Sequence, residues 1–483
     1  MWTVTLVVYQ NARWEGSRNR PRGYEHTERS SLAALRHAWR KGLDRFTEQL
    51  TRFQRPSSWI LLLGLSALIL DYRCHGYFVN PDLRAEDGKM VYAFFFQSRD
   101  LREVLRFKAG YMPLVPNLLG YVAARLPPSA VPYFLALVPA SFAAAVFAVF
   151  NAASFRRYVP SDRLRLCCCV GLALAPLANF FLVCNTDYSI WNLLVLLLWL
   201  VLVPMPDSKL LALPFTVLLT VLVWTHPISI VALPATICWL WVDKRLFSRL
   251  LHALVTGAQV LHVFYGATPH SASVFFKGDS VSEQVWVSLA KFFGLLLHAL
   301  SSALFPYLPA DSVTLARMCP IVLLVALAVC AVLPKKSLAE RAFFVWLLYC
   351  IVVPLFAVVL VRPTGLSNPR YLYSTRVFGA VGIGLVIGRA LAFCVARFPR
   401  FRRLLWFVPE LSVLVYFVSL NRPGVNAVYA QPDPRNGKVI HDCLAELERL
   451  QRERGSRCGL RVQCRKRYGD WPFTIDTRLG CEE

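Results

Sequence analysis

Acidic residues are scarce in this chain: 29 Asp+Glu stand against 53 Lys+Arg, and charged residues of both signs fill only 17% of its 483 positions. That shortage, beside 56% hydrophobic residues, excludes the row of about three soluble domains that the length alone would allow. The surplus of +24 would point a soluble protein to nucleic acid, but the basic residues lie in short clusters between apolar runs, so nucleic acid is not expected as a partner. A Gly-rich phosphate loop after a strand is missing, which removes a nucleotide-binding α/β domain. His75, His226 and His270 include no two at metal-ligand spacing, so no metal site is assigned, and help from a divalent cation is left open. The opening MWTVTLVVYQ lacks the positively charged start of a signal peptide.

What the chain does have is apolar runs long enough for a bilayer, which takes roughly 20 residues per helix. They fall at about 58–70, 130–152, 166–184, 190–205, 210–225, 228–242, 250–266, 318–334, 342–361, 377–396 and 404–420. Residues 1–57 carry 11 Lys+Arg and five acids and are read as cytoplasmic. Every second connection is then also inside, and those are the basic ones: Arg156, Arg157, Arg163 and Arg165; Lys244, Arg245 and Arg249; Lys335, Lys336 and Arg341; Arg397, Arg400, Arg402 and Arg403. The stretch 287–305 contains Lys291 and His298, and counting it as a crossing would invert the loops after it. It is therefore laid on the outer interface or made re-entrant.

The expected fold is an all-α polytopic membrane protein with about eleven transmembrane helices over 58–420. A first outer loop spans 71–129, and its second half, broken by Pro113 and Pro116, suits a helix lying in the membrane plane. The tail 421–483 is placed outside. Of the 14 cysteines, nine lie in or beside apolar runs and Cys74 in the first loop, while Cys443, Cys458, Cys464 and Cys481 share the tail. Four in one short polar segment predict disulfides in an oxidising compartment, with three pairings open. Apolar residues at helical spacing in HDCLAELERLQRERG make this tail a small cystine-stapled helical cap.

Chemistry is sought where ionisable groups meet the outer edge of the bundle, because charge near hydrocarbon is costly. The first loop offers Asp71, Asp82 and the pair Glu86-Asp87 before Gly88. One carboxylate of that pair would face a cavity as a general base, the other a structural partner or metal. The third outer loop, 362–376, offers Arg362, Arg370 and Arg376 with Tyr371 and Tyr373, a set suited to phosphate. Two junctions add Asn185-Thr186-Asp187-Tyr188, with Trp191 and Asn192 a turn later, and Trp224-Thr225-His226-Pro227. Asp187 and His226 would contact a sugar or a phosphate; an N-cap role for Asn185 or Asp187 and a packed interfacial histidine are equally open readings.

Glu86-Asp87-Gly88, Ala109-Gly110-Tyr111 with Pro113, Leu114, Val115 and Pro116, Asn185 with Trp191, Thr225-His226-Pro227 and Pro369-Arg370-Tyr371 follow one another as in one bacterial group of the GT-C class of integral membrane glycosyltransferases, which this chain resembles over about 58–420. It departs from that group at Asp187-Tyr188, where an aromatic pair is common, and in its cystine-rich tail. The resemblance implies a bacterial inner or plasma membrane and transfer of a sugar from a polyprenyl-phosphate donor to a glycan or lipid-linked acceptor on the extracytoplasmic face. It makes Glu86 or Asp87 the base and lets Arg370 and Tyr371 hold the donor phosphate. Arg362, Arg376, Asp71, Asp187, His226 and Asn185 are the remaining substrate-binding candidates. Membrane lipids are the expected surroundings. A polysaccharide polymerase or ligase would use the same outer arginines without needing the acid pair, and a transporter or flippase would carry internal repeats, of which none is visible.

Overall fold

The structure is a computed structural model, and it describes residues 63–69, 78–79, 81, 83, 87–98, 100–107, 111–175, 177, 183–266, 293–294, 296–297, 301, 313–332, 337–361, 372–398, 405, 407–420, 434–454, 461–464 and 473–476. Helices dominate. After a π-helical stretch Asp87–Ala93 come α1 (Phe94–Ser98), α2 (Leu114–Ala123), α3 (Val131–Val149), α4 (Asp162–Leu174), α5 (Ile190–Leu200), α6 (Lys209–Thr225), α7 (Leu233–Val242) and α8 (Leu246–Gly266). They are followed by α9 (Val313–Val332), α10 (Leu338–Val361), α11 (Tyr373–Arg397), α12 (Val408–Ser419) and α13 (Pro434–Arg454), then by strands β1 (Arg461–Cys464) and β2 (Phe473–Asp476). Among the described residues, three helical segments are long and apolar enough to cross a membrane: Pro128–Arg157, Leu338–Val358 and Tyr373–Arg397.

Several other apolar helices are shorter, at 10–17 residues, and for α5 sequence and packing explain why. α5 is eleven residues of Ile, Leu, Val and Trp around one Asn, and every one of them is buried. A helix that is apolar all round belongs inside a bundle, and α5 is the post around which the others stand. Trp199 at its end is fully buried, with its ring 5.0 Å from Phe150, 5.7 Å from Phe155 and 4.5 Å from Phe378. The expected run 166–184 is corrected in the structure. Its helix starts earlier, at Asp162, where the Ser161 hydroxyl accepts the Leu164 N–H at 3.2 Å, and it stops at Leu174. Pro176 follows closely and cannot continue a helix.

α4, α11 and α12 pack closely because glycines face their neighbours. A Cβ on Gly171 would lie 2.2 Å from the Phe417 ring, and one on Gly388 would lie 2.6 Å from Leu164. Small residues at helix contacts let backbones approach in this way.

The bundle has two distinct ends. At one, the turns around 150–161, 201–208 and 243–245 meet: Tyr158 donates to the Leu202 carbonyl at 3.0 Å, Trp239 to Val201 at 2.7 Å and Arg245 to Met205 at 2.8 Å. The basic connections are concentrated here. Arg156 grips Asp162 with two bonds of 2.9 and 2.8 Å, Arg245 pairs with Asp243, and Arg389 reaches Glu340 at 3.1 Å. At the other end, the stretch from Asp87, the turn 185–189 and the turn after α6 come together.

The all-α expectation is corrected in the tail, where β1 and β2 form an antiparallel ribbon with Val462 opposite Ile475 and Cys464 opposite Phe473. Apolar residues alternate with polar ones in RVQC and FTID, the period of a half-buried strand. A disulfide joins Cys443 of α13 to Cys464 of β1; Cys458 and Cys481 lie outside the described residues. The tail is also no separate cap. Ile440, Leu444, Leu447, Val462 and Ile475 share one hydrophobic core with Val91, Tyr92, Phe95 and Phe96 of the first loop and Leu135 of α3. The in-plane reading of 287–305 lies almost wholly outside the described residues.

Candidate functional site

Asp87 opens the π-helical stretch and is almost wholly buried. A carboxylate taken out of water needs strong hydrogen-bond donors, and two of them come from about 100 residues downstream. The Thr186 N–H donates to Oδ2 and the Asp187 N–H to Oδ1, each at 3.0 Å. The sequence leaves a structural partner or a metal open for one acid of the Glu86-Asp87 pair, and Asp87 stands on these two N–H groups. π-helical turns are rare and concentrate at functional sites, and here one starts at the acid pair.

The turn that receives Asp87 is itself fixed. Asn185 Oδ1 accepts the Tyr188 N–H at 2.9 Å, the Thr186 hydroxyl donates to the Leu135 carbonyl at 3.0 Å, and the Ser189 hydroxyl donates to the Thr186 carbonyl at 2.7 Å. Asn185 thus closes the turn ahead of α5, while the N-cap position of that helix is Ser189. The Asn185 Nδ2 is buried and has no hydrogen-bond partner among the described residues. Asp187 is 8% exposed beside it.

A turn further on, the Trp191 ring meets the His226 ring edge-on, with centroids 4.4 Å apart. His226 is fully buried at the C-terminal end of α6, and its Nδ1 accepts the Ile228 N–H at 3.2 Å. Burial, helped by nearby His262, pushes its pKa down to about 3, so the imidazole is neutral. Asn185, Asp187 and His226 thus stand at one end of the bundle, joined through Trp191 and clamped to the first loop by Asp87. The packed-histidine reading fits His226 in this geometry.

The first loop is braced from its other side. A Cβ on Gly120 of α2 would lie 2.6 Å from Phe95 and 2.8 Å from the Val91 carbonyl, so only glycine allows α2 to lie against the π-helical stretch. Asn117 donates from Nδ2 to the carbonyls of Val104 and Arg106, both at 3.1 Å. Pro113 and Pro116, read as interruptions, sit at the start of α2, where a missing N–H costs nothing.

Arg376 is half-buried in the first turn of α11, beside buried Tyr373, Ser374 and Thr375. Thr375 fixes that turn by donating to the Ile351 carbonyl at 2.8 Å. Glu86, Asp71, Asp82, Arg362, Arg370 and Tyr371 lie outside the described residues. Among the described residues, no three His, Cys, Asp or Glu side chains come together.

Three relationships are not directly legible in the sequence: the bond by which Thr186, named there only within its junction, anchors the turn to α3; the pair Ser229 and His262, whose side chains are 3.2 Å apart at the same end; and the tail core against the first loop. Only the last left a signal, the spacing of Ile440, Leu444 and Leu447 on one helical face. Compared with protein-family models, with curated proteins and with solved structures, the chain finds no match.

Proposed function

We propose that the protein is an eleven-span membrane glycosyltransferase of the GT-C type, with its N-terminus cytoplasmic and its C-terminus extracytoplasmic. It moves a sugar from a polyprenyl-phosphate donor to a glycan or lipid-linked acceptor. The observation that carries this reading is the Asp87 clamp, which ties the acid pair of the first loop to the Asn185–Asp187 turn at the end of the bundle away from the basic turns.

In this reading the acceptor hydroxyl oxygen attacks the anomeric carbon, the bond from that carbon to the phosphate oxygen breaks, and polyprenyl phosphate departs. The hydroxyl proton goes to a carboxylate. Both oxygens of Asp87 accept backbone N–H groups, so Glu86 takes the base role and Asp87 positions it. Arg370, Tyr371, Arg362 and Arg376 offset the charge growing on the leaving phosphate. Asp187, Asn185 and Asp71 are the sugar and acceptor contacts, and His226 backs them as a packed residue.

The test is turnover of a panel of synthetic polyprenyl-phosphate sugars by purified protein in nanodiscs. Glu86→Gln is expected to abolish transfer with thermal stability unchanged, whereas Asp87→Asn lowers stability and turnover together. Full activity of Glu86→Gln would remove the base assignment, and no turnover or donor binding across the panel would remove the class.

A further inference from the structure

α7 and α8 run antiparallel, and their interface is polar from one end to the other. At the basic end the Ser248 hydroxyl donates to Asp243 Oδ2 at 2.5 Å. Next, the His252 ring stacks on Trp239, with centroids 5.8 Å apart and planes 7° from parallel. Farther on, the Thr236 hydroxyl donates to Gln259 Oε1 at 2.9 Å, and at the opposite end Ser229 meets His262 at 3.2 Å beside His226. Ser248, His252, Gln259 and His262 are each at most 2% exposed.

Along α8 the positions 248, 252, 256, 259 and 262 return to one face every three or four residues. At 1.5 Å per residue they are about 4.5–6 Å apart and cover about 21 Å in all. Each gap is within the reach of one hydrogen bond or one bridging water.

Hydrogen bonds between helices are a common glue in apolar surroundings, and the Thr236–Gln259 and Ser229–His262 pairs serve that end. They do not account for the rest. Both ring nitrogens of His252, the Thr256 hydroxyl, Gln259 Nε2 and the Nε2 atoms of His262 and His226 are buried with no hydrogen-bond partner among the described residues. Leaving so many polar atoms unpaired in an apolar bundle is costly, and leucine or phenylalanine would pack such a seam without that cost. Intramembrane ionisable residues of this kind mark ion paths and proton relays.

We propose that the α7–α8 seam is a proton path between the two ends of the bundle, with His252 and His262 as its relays. Each imidazole takes a proton on one ring nitrogen and releases one from the other, so the protein is unchanged after a proton has passed. The chemistry favours a proton over a metal cation: hard cations need several oxygen ligands and zinc-like ones several imidazoles or thiolates together, and among the described residues no three His, Cys, Asp or Glu side chains converge on the seam. The one carboxylate on the seam, Asp243, is held by Arg245 with bonds of 3.0–3.2 Å. The other charged groups near the seam also stand at its basic end: Arg157, over the Trp239 ring at 5.1 Å; Asp207, which pairs with Arg245; Arg249, on the Asp243 carbonyl at 2.5 Å; and Lys209, over the Phe247 ring. This path rests on the two-ended bundle and is independent of sugar transfer.

The test uses the full-length protein in liposomes with a trapped pH dye and a potassium diffusion potential set by valinomycin. Wild-type vesicles are expected to change internal pH several-fold faster than protein-free vesicles, with no matching sodium or chloride flux. His252→Phe and His262→Phe are expected to fall to the protein-free rate. His262→Gln and Thr236→Val, which keep volume, replace a phenylalanine variant that does not accumulate. Wild-type flux at the protein-free level overturns the proposal without any variant. Sodium or chloride flux alongside, or unchanged proton flux in folded histidine variants, overturns it too.

Discussion

The carboxylate of Asp87 and the backbone N–H of Thr186 meet at 3.0 Å across 99 residues of chain. With the Asp187 N–H on its other oxygen, Asp87 takes hold of two successive peptide groups of one turn. Two N–H groups presented together to a buried carboxylate form a small anion nest. The first loop is therefore docked at its acidic end as well as by its hydrophobic core against the tail.

Asp87→Asn keeps the shape and removes the charge, and its amide group must face one of the two N–H donors. Hydrogen bonds to charged groups contribute roughly 1.5–3 kcal/mol each, and a donor left facing a donor adds to the loss. We expect a fall of at least about 2 kcal/mol in stability, read as a lower melting temperature in detergent and faster proteolysis of the first loop. An unchanged melting curve would show that the clamp is not needed to hold the loop.

Much of the bundle was legible in the sequence, because apolar runs and basic connections are dictated by local composition. α6, α10 and α11 fall where the runs 210–225, 342–361 and 377–396 place them. Boundaries were less legible where a proline or a cap decides, as at Ser161 and Pro176 of the run 166–184. The ribbon Arg461–Asp476 was missed because four-residue strands give too little alternation to stand out beside α13. In the site, Asn185, Asp187 and His226 stand out in the sequence one by one as polar residues at helix ends. Their link to Asp87 was not legible, since a side chain on backbone N–H groups 99 and 100 residues away leaves no mark in residue spacing.

Gly171→Ala tests the close packing of α4 on α12. The added methyl group would stand 2.2–2.8 Å from atoms of the Phe417 ring, which is itself fully buried and has little room to turn. Overpacking of this kind costs about 1–3 kcal/mol. Melting temperature should fall, and Phe417→Leu in the same chain should recover part of the loss by making space. If Gly171→Ala melts like the wild type, the two helices do not pack this closely.

His226 gives the fold a pH dependence of definite sign. Its pKa is about 3 in the fold against an ordinary value near 6.5, so below about pH 6.5 the unfolded chain binds a proton that the folded chain refuses. The contribution is level above pH 6.5, and stability falls as pH drops from there toward 3. At pH 5 the loss is about 2 kcal/mol. Melting curves at pH 7.5 and pH 5 should separate by more in the wild type than in His226→Gln. Equal separation in both proteins would place the pH sensitivity elsewhere.

The Cys443–Cys464 disulfide ties α13 to β1 across a sequence separation of 21, and a link of that span restricts the unfolded tail by about 3 kcal/mol. Because Ile440, Leu444 and Leu447 beside it share one core with Ile475 of β2 and with Phe95 and Phe96, loosening the tail also uncovers the loop that begins at Asp87. Reduction, or Cys443→Ser with Cys464→Ser, is therefore expected to speed limited proteolysis at two places, the tail and the first loop, while α10 and α11 stay protected. If Glu86 is the base as proposed, any sugar transfer should fall in step with first-loop cleavage, since Glu86 is the neighbour of Asp87 in the chain. Cleavage confined to the tail would show that the first loop holds its place without it, and protection unchanged throughout would mean that the disulfide adds nothing to the docked state.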